Sequence, residues 1–256
     1  MIIILNKNIL YFNLIFFLFL SNITLSSQTN TKNIIKRGLV DDLEKLGLHT
    51  GDLAFFQNKE FYGQLTQIGT LSPFTHSAMI VIDENNNILL THATNNYYDG
   101  FVIPVIGEKK PRSGVILTRL DDLFLSTDNK ISGFYKRIWI RKLKDSLITH
   151  PSAKAVLKLY KKYKDYPFET SSLNFILSTF DLYIDGKDVL SFAKDKKLMC
   201  SEYISYLFKE LSFPIHLKEL PRETTPVDIY TQINDFYDPP VIYEFENGKY
   251  HIVSNY

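Results

Sequence analysis

Cysteine is nearly absent from this chain: Cys200 is the one example in 256 residues. A disulfide-stapled scaffold within one copy is therefore excluded. Charge of one sign is not in excess either, with 29 Lys and Arg against 28 Asp and Glu. Without a basic face there is no electrostatic footprint for nucleic acid, and none is expected as a partner. Neither Cys-x-x-Cys nor His-Glu-x-x-His occurs, so two common local signatures of zinc are missing and no metal or cofactor is expected. Internal repeats and low-complexity linkers are also lacking.

Long hydrophobic runs are lacking except at the start. Ile9 to Leu20 is apolar apart from Asn13, which is short of the roughly 20 residues that a membrane span needs. Lys7 precedes the run, and Ser21, Thr24, Ser26 and Ser27 follow it. This is the three-part pattern of a secretory signal peptide, so residues 1–27 are expected to be removed and the protein secreted or held in the periplasm or cell envelope. The alternative is an uncleaved anchor, because Ile2-Ile3-Ile4-Leu5 extends the apolar run. Loss of Lys7 leaves the mature chain formally neutral.

What the chain does contain is aromatic and apolar material for a core, with 16 Tyr and 19 Phe. Ile35, Leu39, Leu43 and Leu46 space a short helix over 34–46, ending at Gly47. Gly51-Asp52 reads as a turn into a strand through Phe56. Ser77 to Ile82 and Ile88 to Ala93 read as a hairpin across Asp83-Glu84-Asn85-Asn86-Asn87. Further strands are expected over Phe101 to Ile106, Val115 to Leu120 and Lys136 to Leu143. Val156, Leu159, Tyr160 and Tyr163 give Pro151 to Tyr163 a helical stripe. Leu173 to Leu182 is apolar without a deciding period. Thr225-Pro226 heads another helix, and Val241 to Val253 forms a terminal hairpin around Glu246-Asn247-Gly248-Lys249. The expectation is one α+β domain over 34–256, an antiparallel sheet packed against helices.

Chemistry centres on Cys200. Ile204, Leu207, Phe208 and Leu211 place a buried stripe on a helix that begins beside it. A thiol there meets the positive end of the helix dipole and unpaired N–H groups, which favour thiolate. The competing reading is a small buried hydrophobe. Export weighs against it, since an unpaired thiol in an oxidising compartment is a liability unless it performs chemistry. A nucleophilic thiol needs a base and an orienting group. His76 begins the first hairpin strand, followed by small Ser77 and Ala78, and His92 sits on the second. Pairing of the two strands brings both imidazoles toward one end of the hairpin. His49, His150, His216 and His251 lie in turn-like or terminal settings without such an arrangement. Glu202 reads as a helix-start charge.

Five blocks then occur in a telling order: Gly51-Asp52-Leu53-Ala54-Phe55, Thr75-His76-Ser77-Ala78-Met79-Ile80-Val81, Tyr166-Pro167-Phe168, Met199-Cys200-Ser201-Glu202-Tyr203-Ile204 and Thr225-Pro226-Val227-Asp228-Ile229. In this order the chain resembles the permuted NlpC/P60-like cysteine hydrolases, the YiiX and poxvirus-like branch of papain-fold enzymes. The resemblance implies a circularly permuted papain-like fold with the nucleophile at a helix N-terminus. It implies Cys200 as nucleophile, His76 as base and His92 as third member, where the family commonly has a glutamate. Tyr166, Ser201 and Asp52 stand as oxyanion or substrate-lining candidates, although Asp52 reads first as a turn residue. The expected activity is hydrolysis of an amide or ester through a thioester, on a peptide, possibly from the cell wall, or a lipid. Leu173 to Tyr183 is a candidate acyl-chain groove or a core segment. The alternative is a non-catalytic papain-like binding module at the cell envelope.

Overall fold

The computed structural model describes residues 43–58, 67, 72–96, 103–120, 122, 134–169, 197–218, 221, 224–247 and 249–255. The chain divides into two compact units, Met1–Lys32 and Asn33–Tyr256, and every described residue belongs to the second. The signal peptide over 1–27, most of the helix expected over 34–46, and the apolar stretch 173–183 lie outside the described residues. No described helix is long and apolar enough to cross a membrane.

Seven strands form one antiparallel sheet: β1 (Leu53–Asn58), β2 (His76–Ile82), β3 (Ile88–Thr94), β4 (Gly114–Arg119), β5 (Tyr135–Arg141), β6 (Val241–Glu246) and β7 (Lys249–Asn255). Their spatial order is β4-β3-β2-β1-β5-β6-β7. The first four strands run as a meander. β5 then returns to the free side of β1, pairing Leu53 with Arg141 and Phe56 with Ile138. β6 and β7 continue outward as the terminal hairpin. Between β5 and β6 the chain leaves the sheet and supplies three helices: α1 (Ala153–Tyr163), α2 (Cys200–Glu210) and α3 (Pro226–Gln232).

This architecture corrects the expected fold class. The chain is mostly a seven-stranded antiparallel sheet with three described helices of 11, 11 and 7 residues. It is not a helix-packed papain-like α+β fold. The segment expected to be a helix over 34–46 shows, in its described part, a four-residue 3₁₀ turn, Leu43–Leu46. Of the strand expected over 101–106, the described part, Ile103 to Ile106, joins no ladder. There the Asn96 side chain takes the place of a neighbouring strand, donating from Nδ2 to the Ile103 carbonyl and accepting the Ile103 N–H.

The remaining expected elements form for the reasons their sequences suggest. Asp83 closes the β2–β3 hairpin by accepting the N–H groups of Asn85 and Asn87, an Asx-type turn. Asn86 there has φ of 59°, a left-handed conformation that Asn tolerates. Ser152 caps α1 by accepting the Ala155 N–H. Thr225 and Asp228 cap α3 reciprocally, with Pro226 in its first turn, the capping-box arrangement.

Strand alternation gives the sheet two buried faces. Leu53, Phe55, Met79, Val81 and Trp139 point to one face and meet Tyr203, Ile204, Leu207 and Phe208 of α2. Ala54, Phe56, Ala78, Ile80, Ile138 and Ile140 point to the other, with Tyr243 and Tyr250. Arg141, at the end of β5, is buried and donates to the carbonyls of Tyr230, Tyr237 and Asp238 and to Asn234 Oδ1. Its guanidinium lies 5.0 Å from the Tyr230 ring centre. One side chain thus gathers the turn after α3 onto the sheet, the bonded alternative to a costly unpaired buried charge.

Candidate functional site

Cys200 is the first residue of α2, and it is 4 % exposed. Several bonds hold the start of that helix in place. Tyr203 OH hydrogen-bonds to Thr91 Oγ1 on β3 at 2.8 Å. Ser201 Oγ donates to the Thr224 carbonyl at 2.5 Å, and Glu202 accepts the Met199 N–H at 3.4 Å. Met199 has no cap oxygen, so Glu202 supplies half of a capping box.

The thiol lies against Ser77. The backbone N–H and hydroxyl of Ser77 and the N–H groups of Cys200 and Ser201 all favour its thiolate. Burial acts in the opposite sense and is larger, so the thiol is pushed up from its usual range,. The expectation that the helix start alone yields a low-pKa thiolate is therefore corrected. Ser77 Oγ is buried without a full hydrogen bond and sits within electrostatic reach of the sulfur.

His76 is the residue before Ser77 and the first of β2. Alternation sends Ser77 toward α2 and His76 to the opposite face, where its ring meets Phe56 at 5.5 Å. Helix α2 therefore meets the end of β2 at its backbone. His76 Nε2 lies 2.7 Å from His92 Nδ1, and His92 Nε2 lies 3.3 Å from Thr118 Oγ1 on β4. The hairpin thus brings the two imidazoles together. Burial lowers His76 to about 3 and His92 well below the ordinary histidine value, with the neighbouring His76 adding to the latter. Both rings are neutral at physiological pH. Among the described residues no hydrogen bond joins Cys200 Sγ to either ring, and the two groups meet through Ser77.

The three lesser candidates separate. Ser201 stays beside the thiol, its hydroxyl occupied by Thr224. Tyr166 is half-buried, packs edge-on against Tyr163 and accepts the Val115 N–H through its carbonyl. Asp52 lies elsewhere and is structural. Its carboxylate accepts the N–H of His49 and of Leu143, each at 2.8 Å. Burial, opposed by those two bonds, raises its pKa. Tyr237 OH closes the same corner by donating to the Gly51 carbonyl. Gly51, with φ of 102°, faces Pro151 so closely that an added Cβ would sit 2.8 Å from its ring.

A second cluster escapes the linear reading. His49, Asp145 and His150, two of which read as turn histidines, place one ligand-type atom each within 4.8 Å of one another. No local spacing announces it, because about a hundred residues separate His49 from the other two.

No family model matches this sequence, the NlpC/P60 family included, and no curated protein matches it. Among solved structures the chain is similar to the crystal structure of the metalloprotein YiiX from Escherichia coli O157:H7. The two are 16 % identical over 76 % of this chain and 88 % of that chain, with a TM-score of 0.38.

Proposed function

We propose that the protein is an exported, thiol-dependent hydrolase that opens an amide or ester bond through a thioester on Cys200. The observation that supports this reading best is the contact of the Cys200 thiol with Ser77, immediately beside an imidazole whose Nε2 is already committed to His92. That commitment leaves His76 Nδ1 as the ring nitrogen for proton transfer. For Nδ1 to accept a proton, Nε2 must carry a hydrogen and donate it to His92 Nδ1. His92 Nε2–H then donates to Thr118 Oγ1. The chain from Thr118 through His92 to His76 is thus an orienting device, the task a carboxylate performs elsewhere.

With the thiol and the imidazole both neutral at rest, the mechanism is general-base attack and not attack by a preformed ion pair. His76, its ring turned past Ser77 toward the head of α2, takes the thiol proton as sulfur bonds to the carbonyl carbon. The backbone N–H groups at the head of α2 donate to the developing oxyanion. His76 then returns the proton to the departing amine or alcohol, leaving a thioester. Water, deprotonated by His76, releases the acid and restores the thiol. Peptides, including cell-wall peptides, and lipid amides or esters are the substrate classes consistent with export.

The missing hydrogen bond between Sγ and His76 favours a second reading, a binding protein without turnover. Incubation of the full chain with mixed peptide and lipid extracts, followed by intact mass spectrometry, separates the two. The hydrolase reading expects an acyl adduct on Cys200 that is absent in Cys200→Ser. Hydrolysis that persists in Cys200→Ser would remove the thiol from the mechanism, and no adduct from any extract favours the binding protein.

A further inference from the structure

The geometry points to a divalent transition-metal site, of the Zn²⁺ class, formed by His49, Asp145 and His150, none of which is invoked above for catalysis. Two imidazoles and one carboxylate, with the remaining positions open to water, form a ligand set suited to zinc and to its first-row neighbours.

The histidine at the centre is oriented as a ligand. His150 Nδ1 lies 3.0 Å from the Thr50 carbonyl oxygen. A carbonyl only accepts, so Nδ1 carries the hydrogen, and the metal-facing nitrogen is Nε2. An imidazole whose second nitrogen donates to a backbone carbonyl is the usual outer-shell arrangement of a metal-bound histidine. Nε2 points at Asp145 Oδ1, 2.6 Å away. The His49 ring stands beside it, with ring centres 4.6 Å apart.

Two backbone segments are clamped to present these groups. Asp52 ties the His49 N–H to the Leu143 N–H, and Gly51 seats against Pro151. The turn after Leu143 is held by the N–H groups of Leu147 and Ile148 on the Lys144 carbonyl. Lys144 in turn donates to the carbonyls of Asn234 and Asp235. Around one tetrahedral zinc, donor atoms bound at about 2.0–2.1 Å sit roughly 3.4 Å apart. His150 Nε2 and Asp145 Oδ1, now 2.6 Å apart, would open to that spacing, and the pairs with His49 would close from at most 4.8 Å; His49 and Asp145 are both exposed. The charged groups that act on them are Lys142, on Asp145, and buried Asp52, which interacts with both histidines. A bound cation would therefore be attracted by two carboxyl groups and repelled by one ammonium.

Isothermal titration of the full chain with ZnCl₂ near pH 7.5 tests the site, with Co²⁺ absorption as an independent readout of coordination. One equivalent is expected to bind. Asp145→Asn, whose side chain is 78 % exposed in the wild type, leaves the fold intact and should weaken binding at least about tenfold, the scale of losing even an outer-shell partner. His49→Ala should do the same, and Cys200→Ser should have no effect. The site is overturned by absence of Zn²⁺ binding, or by binding that survives both Asp145→Asn and His49→Ala. It is equally overturned by binding lost in Cys200→Ser alone, which would move the metal to the thiol.

Discussion

The molecule contains two pairs of histidines, and they behave as opposites. His76 and His92 are buried inside the sheet, 7 % and 0 % exposed, linked ring to ring and flanked by Phe56 and Thr118. His49 and His150 lie near the surface, joined to an exposed carboxylate and a backbone carbonyl. The same side chain therefore serves two chemistries according to solvent. Burial removes the charged form and leaves a proton relay. Near the surface, a ring nitrogen such as His150 Nε2 holds an exposed carboxylate that a cation could bridge in its place.

The largest expected effect tests the buried pair directly. His76→Ala should slow acyl-adduct formation on Cys200 by about 10²–10⁴-fold, the usual contribution of a general base. An unchanged rate in single-turnover mass spectrometry would remove His76 from the mechanism.

The second test uses acid. His76 is held near 3 when folded and titrates near 6.5 when unfolded, so between those values the unfolded chain binds the extra proton. The contribution of burying it neutral is thus fully present above 6.5 and is lost as pH falls toward 3. The slope is about 1.4 kcal/mol per pH unit. Urea melts from pH 7 to 5 should show this loss, with His92 adding in the same direction. His76→Phe should flatten the slope. Stopping at pH 5 keeps the experiment above the ordinary carboxylate range, where Asp52, raised by burial, acts in the opposite sense.

Asp52 supplies the third comparison. Asp52→Ala orphans two N–H groups, at least one of them buried, and should cost about 1–3 kcal/mol in a urea melt. Asp145→Asn, by contrast, should leave the urea midpoint unmoved, because its ion pair is open to water,. A large shift there would mean that Asp145 holds the fold and not a ligand.

Much of this was legible in the residues. The apolar run from Ala78 to Ile82 and the Asp83 turn announced the hairpin that carries His76 and His92 to one place. The stripe from Ile204 to Leu211 announced α2 and put Cys200 at its head. What escaped depends on distance along the chain. Pairing of β1 with β5 joins residues about eighty apart, from Asn58 with Tyr135 to Leu53 with Arg141, and no local period reports it, so an extended sheet was read as a helix-packed fold. The thiol was misjudged because the helix start is visible in sequence while the depth of burial is not. The His49, Asp145 and His150 cluster escaped for the first reason and Ile103 for another, since a side chain there replaces a strand.

The clasp formed by Arg141 has a consequence for engineering. β5 and β6 are neighbours, Ile140 opposite Val241, yet about a hundred residues of chain lie between them, including the three described helices. The thiol-bearing segment departs and returns at adjacent points of the frame, where Arg141 fastens its returning end. It is in effect a cassette inserted between neighbouring strands. New termini opened within it would cut no rung of the sheet, so a circularly permuted chain should keep its frame while the head of α2 is redesigned.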